Sequence, residues 1–181
     1  FFEKATASLQ EIKPVFMLAE AEQPNLMEKA FDMHYAWEFH HLLNDISKGH
    51  KNLSDLDNYL VKMDTVLGVD DINMNFITNH DENSWAGTLE ERMPGRKEIF
   101  TALTYTLPGM PLIYSGQEYD LNHRLKFFEK DSFPKTKGAY FELLKKLGAL
   151  KKSHPALNGG KSAAAYKRLN TDNSSIFAFK R

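Results

Sequence analysis

Short, unbroken apolar runs alternate along this chain with stretches whose apolar residues recur at helical spacing. That alternation leaves few architectures open. The runs are Val15 to Ala19, Ala30 to Tyr35, Ile72 to Thr78 and Met110 to Tyr114. Runs this short and continuous suit strands buried on both faces, as in a parallel sheet under helices. Helices are expected over Phe1 to Glu11, stopped by Lys13-Pro14, and over Trp37 to Ile46. Asn52 to Leu67 carries Leu53, Leu56, Leu60, Met63 and Leu67 at helical spacing, with Ser54 and Asp57 as its expected N-terminal cap. Glu98 to Leu107 is stopped by Pro108-Gly109, and Tyr140 to Lys152 by His154-Pro155. After Asn158-Gly159-Gly160 the character changes. Ala163 to Arg168 and Ser175 to Arg181 read as strands joined by a turn at Asn170 to Asn173.

The order is that of a parallel α/β architecture. A closed (β/α)8 TIM barrel takes about 250 residues. The 181 residues with four such strand runs accommodate half of one.

Composition narrows the function. The chain is 42% hydrophobic and 26% charged, which is globular. A net charge of -1 gives no long-range pull toward nucleic acid or an acidic membrane surface. No segment approaches the roughly 18 apolar residues of a membrane span. The absence of cysteine removes disulfides, zinc-thiolate sites and thiol nucleophiles, and leaves periplasmic, extracellular and cytoplasmic locations all open.

In parallel α/β folds, ligands bind at the carboxyl ends of strands. Three of the runs end there in acids: Glu20, Asp81 and Glu118. Carboxylates around one pocket suit glycoside hydrolysis. One protonated acid gives its proton to the leaving oxygen, and another carboxylate attacks the anomeric carbon or stabilises its developing charge. Trp37, Trp85 and Tyr119 are candidate platforms for sugar faces.

Two of these strand ends carry a resemblance. Phe76-Ile77-Thr78-Asn79-His80-Asp81 resembles the fourth signature region of the α-amylase superfamily, glycoside hydrolase family 13, and Val15 to Glu20 resembles the third. Leu107 to Glu118 is similar to the family's approach to the eighth barrel strand, and His154-Pro155-Ala156-Leu157 to the end of its last barrel helix. The resemblance implies the second half of the barrel over 1-157 and the start of a C-terminal β-domain over 158-181. It also implies an α-glucan as partner. Glu20 would be the general acid/base, Asp81 the transition-state stabiliser and His80 a sugar ligand. Trp37 and Arg124 are added as expected substrate contacts.

One departure matters. The family's nucleophile lies in a pattern like Gly-Phe-Arg-x-Asp, and no such pattern occurs here. The chain therefore reads as a piece of a longer protein, inactive alone, with the nucleophile upstream. A missing barrel half or self-association is expected to cover its open side. No cofactor is expected in these residues, and the resemblance allows calcium in the intact parent. A transglycosylase or α-glucosidase of the same superfamily, or a non-catalytic carbohydrate-binding relative, shares every motif named.

Other patterns carry less. Glu38 and His41 have a helical metal-ligand spacing with no second pair. Gly159-Gly160-Lys161-Ser162 lacks the glycine that a phosphate loop needs, because position 155 is proline.

Overall fold

The computed structural model describes residues 1–181. The first part alternates helix and strand: α1 (Phe2–Ile12), β1 (Leu18–Ala19), α2 (Pro24–Met27), β2 (Met33–Tyr35), α3 (Trp37–Lys48), α4 (Leu53–Val66) and β3 (Ile72–Asn75). There follow a π-helical turn (Glu82–Ala86), α5 (Leu89–Arg92), α6 (Lys97–Thr106), β4 (Met110–Pro111), α7 (Ala139–Ser153), β5 (Lys167–Leu169) and β6 (Ala178–Lys180). Strands β1 to β4 form one parallel sheet in chain order, the arrangement expected of a half barrel.

The paired strands are shorter than the apolar runs that announce them. Phe76, Ile77 and Thr78 lie beyond the β3 ladder yet stay buried. Their apolar character reflects packing past the point where hydrogen-bond pairing ends.

Side-chain alternation sorts the sheet into two faces. Met33, Tyr35, Met74 and Phe76 cluster on one, with Trp37, Ile72 and Leu112 against them. The other face meets the helices. There Phe39, Leu42 and Leu43 of α3 pack with Leu56, Tyr59 and Leu60 of α4 and with Phe100 of α6. Asn73, on the helix side, donates from Nδ2 to the Tyr59 hydroxyl at 3.4 Å.

The cap of α4 differs from the sequence expectation. Asn52, not Ser54, is the cap. Its side chain accepts from the Ser54 N–H, and Asp55 accepts from the Asn52 N–H, closing a capping box. Asp57 is free of that duty and pairs with Arg168 Nε at 2.8 Å.

β5 and β6 pair antiparallel around the expected turn. The ribbon packs on the barrel part: Tyr166, Phe177 and Phe179 lie against the main core, and Arg181 Nη1 donates to the Thr106 carbonyl at 3.1 Å.

Gly109 shows how closely β3 and β4 approach. Its φ is +117°, and a Cβ there would run into the Asn73 carbonyl oxygen and the Asn75 amide. Gly109→Ala is expected to destabilise the fold by about 2–4 kcal/mol, from strain and clash together. A denaturation midpoint close to that of the unmodified protein would show that the two strands can separate at no cost.

Candidate active site

The turn after β3 is built by its own side chains. Asn79 is fully buried, and its Oδ1 accepts from the Glu82 N–H at 2.8 Å while its carbonyl accepts from the Asn83 N–H. That folds the chain back at once into the π-helical turn and leaves His80 and Asp81 at the crest. β1 ends beside it and delivers Glu20.

Three titratable groups meet there. His80 Nε2 stands 3.2 Å from Glu20 Oε1 and 3.7 Å from Asp81 Oδ2. All three side chains are 40–51% exposed, open to a ligand from solvent. Tyr35, at the end of β2, lies under them. Burial raises its phenol pKa above the ordinary value, and the charges of Glu20 and Asp81 push it further the same way. Three successive strands thus contribute to one spot. The donor atoms of Glu20, His80 and Asp81 all lie within 4.8 Å of one another. Calcium, which takes six to eight oxygen ligands, does not fit a set of two carboxylates and one imidazole.

A buried network stands behind this spot, and the sequence reading missed it. His40 of α3 is fully buried and stacks on Phe76 at 4.6 Å and 10°. Its Nε2 lies 2.8 Å from Glu82 Oε2. Burial pushes the His40 pKa down, and the hydrogen bond to His40 pulls the Glu82 carboxyl down. A neutral His40 donating its Nε2 hydrogen to an ionised Glu82 meets both directions. Arg92 completes the network. It is 5% exposed and donates at 2.9 Å to each of three acceptors: the Gly87 carbonyl, the Ile77 carbonyl and Asn44 Oδ1. Its Nη1 lies 3.8 Å from Glu82. One buried guanidinium thus ties the end of β3 to the far end of the π-helical turn. Nothing in the sequence pattern singles out Arg92, because two of its acceptors are backbone carbonyls and the third, Asn44, lies 48 residues away.

The other expected residues fall as follows. Trp37 packs edge-on to Phe76 at 5.0 Å and lies against Tyr35 and His41. Arg124 is held by Glu91 through two hydrogen bonds of 2.9 and 3.1 Å. Glu118 sits in a short 3-10 turn after β4 and does not join the group. Tyr119 stacks on Phe141 and lies tilted against Phe133. Glu38 pairs with Lys62 at 2.6 Å, which removes the metal-ligand reading of Glu38 and His41.

Glu22, two residues past Glu20, is half-buried and accepts from the Glu38 N–H at 2.7 Å, holding the start of α3. Burial raises its pKa from 4.5 to about 7. Folding therefore favours the protonated form. Stability is expected to be full below pH 4.5 and to fall as pH rises through 7, and Glu22→Gln should flatten that part of the profile. Urea midpoints across this range check it; an unchanged slope in the variant would remove Glu22 as the cause. Arg92→Met, which leaves two carbonyls and Asn44 Oδ1 without their donor and removes the positive charge near Glu82, is expected to cost about 3–5 kcal/mol. Arg92→Lys should recover little, since an ammonium lacks the planar fork. A stability loss under 1 kcal/mol would mean that water replaces the guanidinium readily.

No family model matches the chain. It is 26% identical over 166 residues to a cyclomaltodextrin glucanotransferase from Klebsiella oxytoca, covering 75% of this chain and 25% of that protein. Its fold is similar to the crystal structure of a maltogenic α-amylase from Thermotoga neapolitana, with a TM-score of 0.83, 23% identity, and coverage of 98% of this chain and 41% of that one. An α-amylase from Lactobacillus plantarum gives a TM-score of 0.80 and 22% identity, covering 98% of this chain and 45% of that one. The chain thus spans less than half the length of each. With a parallel arc of barrel strands, motifs in the same order and this likeness along nearly all its length, it looks like the C-terminal half of a glycoside hydrolase family 13 protein.

Proposed function

We propose that this chain supplies two of the three carboxylates of a retaining α-glucan hydrolase, Glu20 as general acid/base and Asp81 as the stabiliser of the oxocarbenium-like transition state. The observation that carries the reading is the convergence of Glu20, His80 and Asp81 at the carboxyl ends of β1 and β3. In the first step Glu20 protonates the glycosidic oxygen as a third carboxylate attacks the anomeric carbon and the glycosidic bond breaks. In the second, ionised Glu20 takes a proton from water, and that water displaces the attacking carboxylate. Asp81 and His80 hold sugar hydroxyls while positive charge develops. The attacking carboxylate comes from residues outside these 181, so the isolated chain turns nothing over. The likeness to a glucanotransferase favours a second reading, in which another sugar hydroxyl replaces water in the second step.

In a protein carrying the complete barrel, Glu20→Gln should lower kcat on a maltooligosaccharide by about 10²-fold or more. The loss should be much smaller for an aryl glycoside, whose leaving group needs no proton. Equal losses on both substrates would remove Glu20 from acid catalysis. Hydrolysis of starch by the 181-residue chain alone would overturn the external nucleophile. Activity lost to a chelator and restored by a divalent ion would recast Glu20, His80 and Asp81 as metal ligands. Chromatography of the products against time separates hydrolysis from transfer.

A further inference from the structure

Helix α3 begins without a cap of its own. The residue before it is Ala36, which has no side chain that could accept from the first turn. The opening N–H groups of a helix have no partner inside the helix and must find one elsewhere. Here the partner comes from another segment: Glu22 Oε2 accepts from the Glu38 N–H at 2.7 Å. A carboxylate at that end also meets the positive pole of the helix dipole. Glu22 belongs to the short segment between β1 and α2, the same segment that presents Glu20.

That segment has few other holds. The pairing of β1 with β2 ends at Ala19. Glu20 itself is half exposed, and its carboxylate meets His80 at 3.2 Å. The opposite side of the site is referred to the same helix. His40 of α3 meets Glu82 at 2.8 Å, just past His80 and Asp81. Asn44 of α3 accepts at 2.9 Å from Arg92, which ties the two ends of that turn. One helix thus serves as a common frame. Glu22 seats the Glu20 segment on its first turn, and His40 and Asn44 seat the His80–Asp81 turn along its side. Glu22 Oε1 is buried without a partner, so the carboxyl group is enclosed between the segments it joins. With a pKa of about 7, Glu22 occurs at neutral pH in both forms, and each keeps an oxygen that can accept from an N–H.

We propose that Glu22 is a positioning residue for glycosidic cleavage: by docking on the first turn of α3, it sets where Glu20 stands against His80 and Asp81. The inference rests on the reading of Glu20 as the general acid/base. The part played by Glu22 is indirect, through Glu20. Proton transfer to a glycosidic oxygen needs the acid within about 2.6–3.2 Å of it. A displacement of about 1 Å can cost a rate factor of about a hundred. Without the hydrogen bond to Glu38 the segment loosens, and Glu20 leaves that range for part of the time. Asp81 and His80, on the other side, still hold the sugar. The loss therefore falls on kcat more than on KM, and on substrates that need the proton more than on those that do not.

The test uses a protein carrying the complete barrel, with maltoheptaose and an aryl maltoside whose leaving group needs no proton. Glu22→Ala should lower kcat on maltoheptaose about tenfold or more, move KM less than about twofold, and lower kcat on the aryl maltoside far less. Glu22→Gln, which keeps an oxygen acceptor for the Glu38 N–H, should restore most of the loss. Glu22→Asp, one methylene shorter, should behave like the alanine variant, and it carries the test if that variant does not fold. Gly49→Ala is the structural control. Gly49 ends α3 with a φ of +75°, so alanine there strains the far end of the helix and should leave the ratio of the two rates alone. Equal losses on both substrates would overturn the positioning role, as would undiminished activity in either shortened variant. A shift of the ratio in Gly49→Ala as large as in Glu22→Ala would also overturn it, because any weakening of α3 would then suffice. If Glu20→Gln fails to distinguish the two substrates, the acid/base reading fails and the positioning role with it. If Glu20→Gln distinguishes them and Glu22→Ala does not, the positioning role alone fails.

Discussion

The Arg92 guanidinium is the contact on which the rest of the site depends. It is buried and donates to carbonyls on both sides of the turn that carries His80 and Asp81, and to the side chain of Asn44 on α3. A buried cation is costly unless every donor finds a partner. Here two of the three acceptors are backbone carbonyls that would otherwise lie unpaired between a strand end and a helix. The cation satisfies them, and they hold the cation. Glu82 lies close enough to share its charge and accepts from neutral His40. The outcome is a stiff support behind an exposed pair of side chains, which leaves His80 and Asp81 free to meet a ligand.

The same turn faces two ways. Inward, it is tied to α3 and α5 by His40, Glu82 and Arg92. Outward, Asn83 and Ser84 fasten it to the loop after β4. Five residues of π-helix therefore join His80 and Asp81 at the crest to the loop after β4. π-helical turns of this kind are rare and tend to occur at functional sites.

Much of the fold was legible because it rests on local patterns. Short apolar runs separated by amphipathic stretches gave the four strands and the long helices nearly where they lie. Their ends were less legible. The Ile72 to Thr78 run continues past the β3 ladder, because apolarity reports burial and not pairing. The cap of α4 moved by two residues, because Ser54, Asn52 and Asp55 all carry the right chemistry and only backbone conformation chooses among them. Arg124, a plausible cleft residue by sequence, is held by Glu91, a partner thirty-three residues away. Glu118 shares the strand-end position of Glu20 and Asp81, but lies in the 3-10 turn after β4 and does not join them.

The sequence by itself determined the class of fold and which side chains stand at strand ends, since apolar periodicity and the order of runs are properties of the chain alone. It also contained Glu20, His80 and Asp81 in motifs that can be recognised without coordinates. Tertiary structure decided everything that depends on distance between segments: that Glu20 and Asp81 share one imidazole, that Tyr35 lies beneath them, that His40, Glu82 and Arg92 brace the turn, and that Trp85 meets Phe127 and Phe128. The reason is that hydrogen bonds and ring contacts act over a few ångströms, while the residues that make them are up to about fifty positions apart, Arg92 and Asn44 being separated by 48.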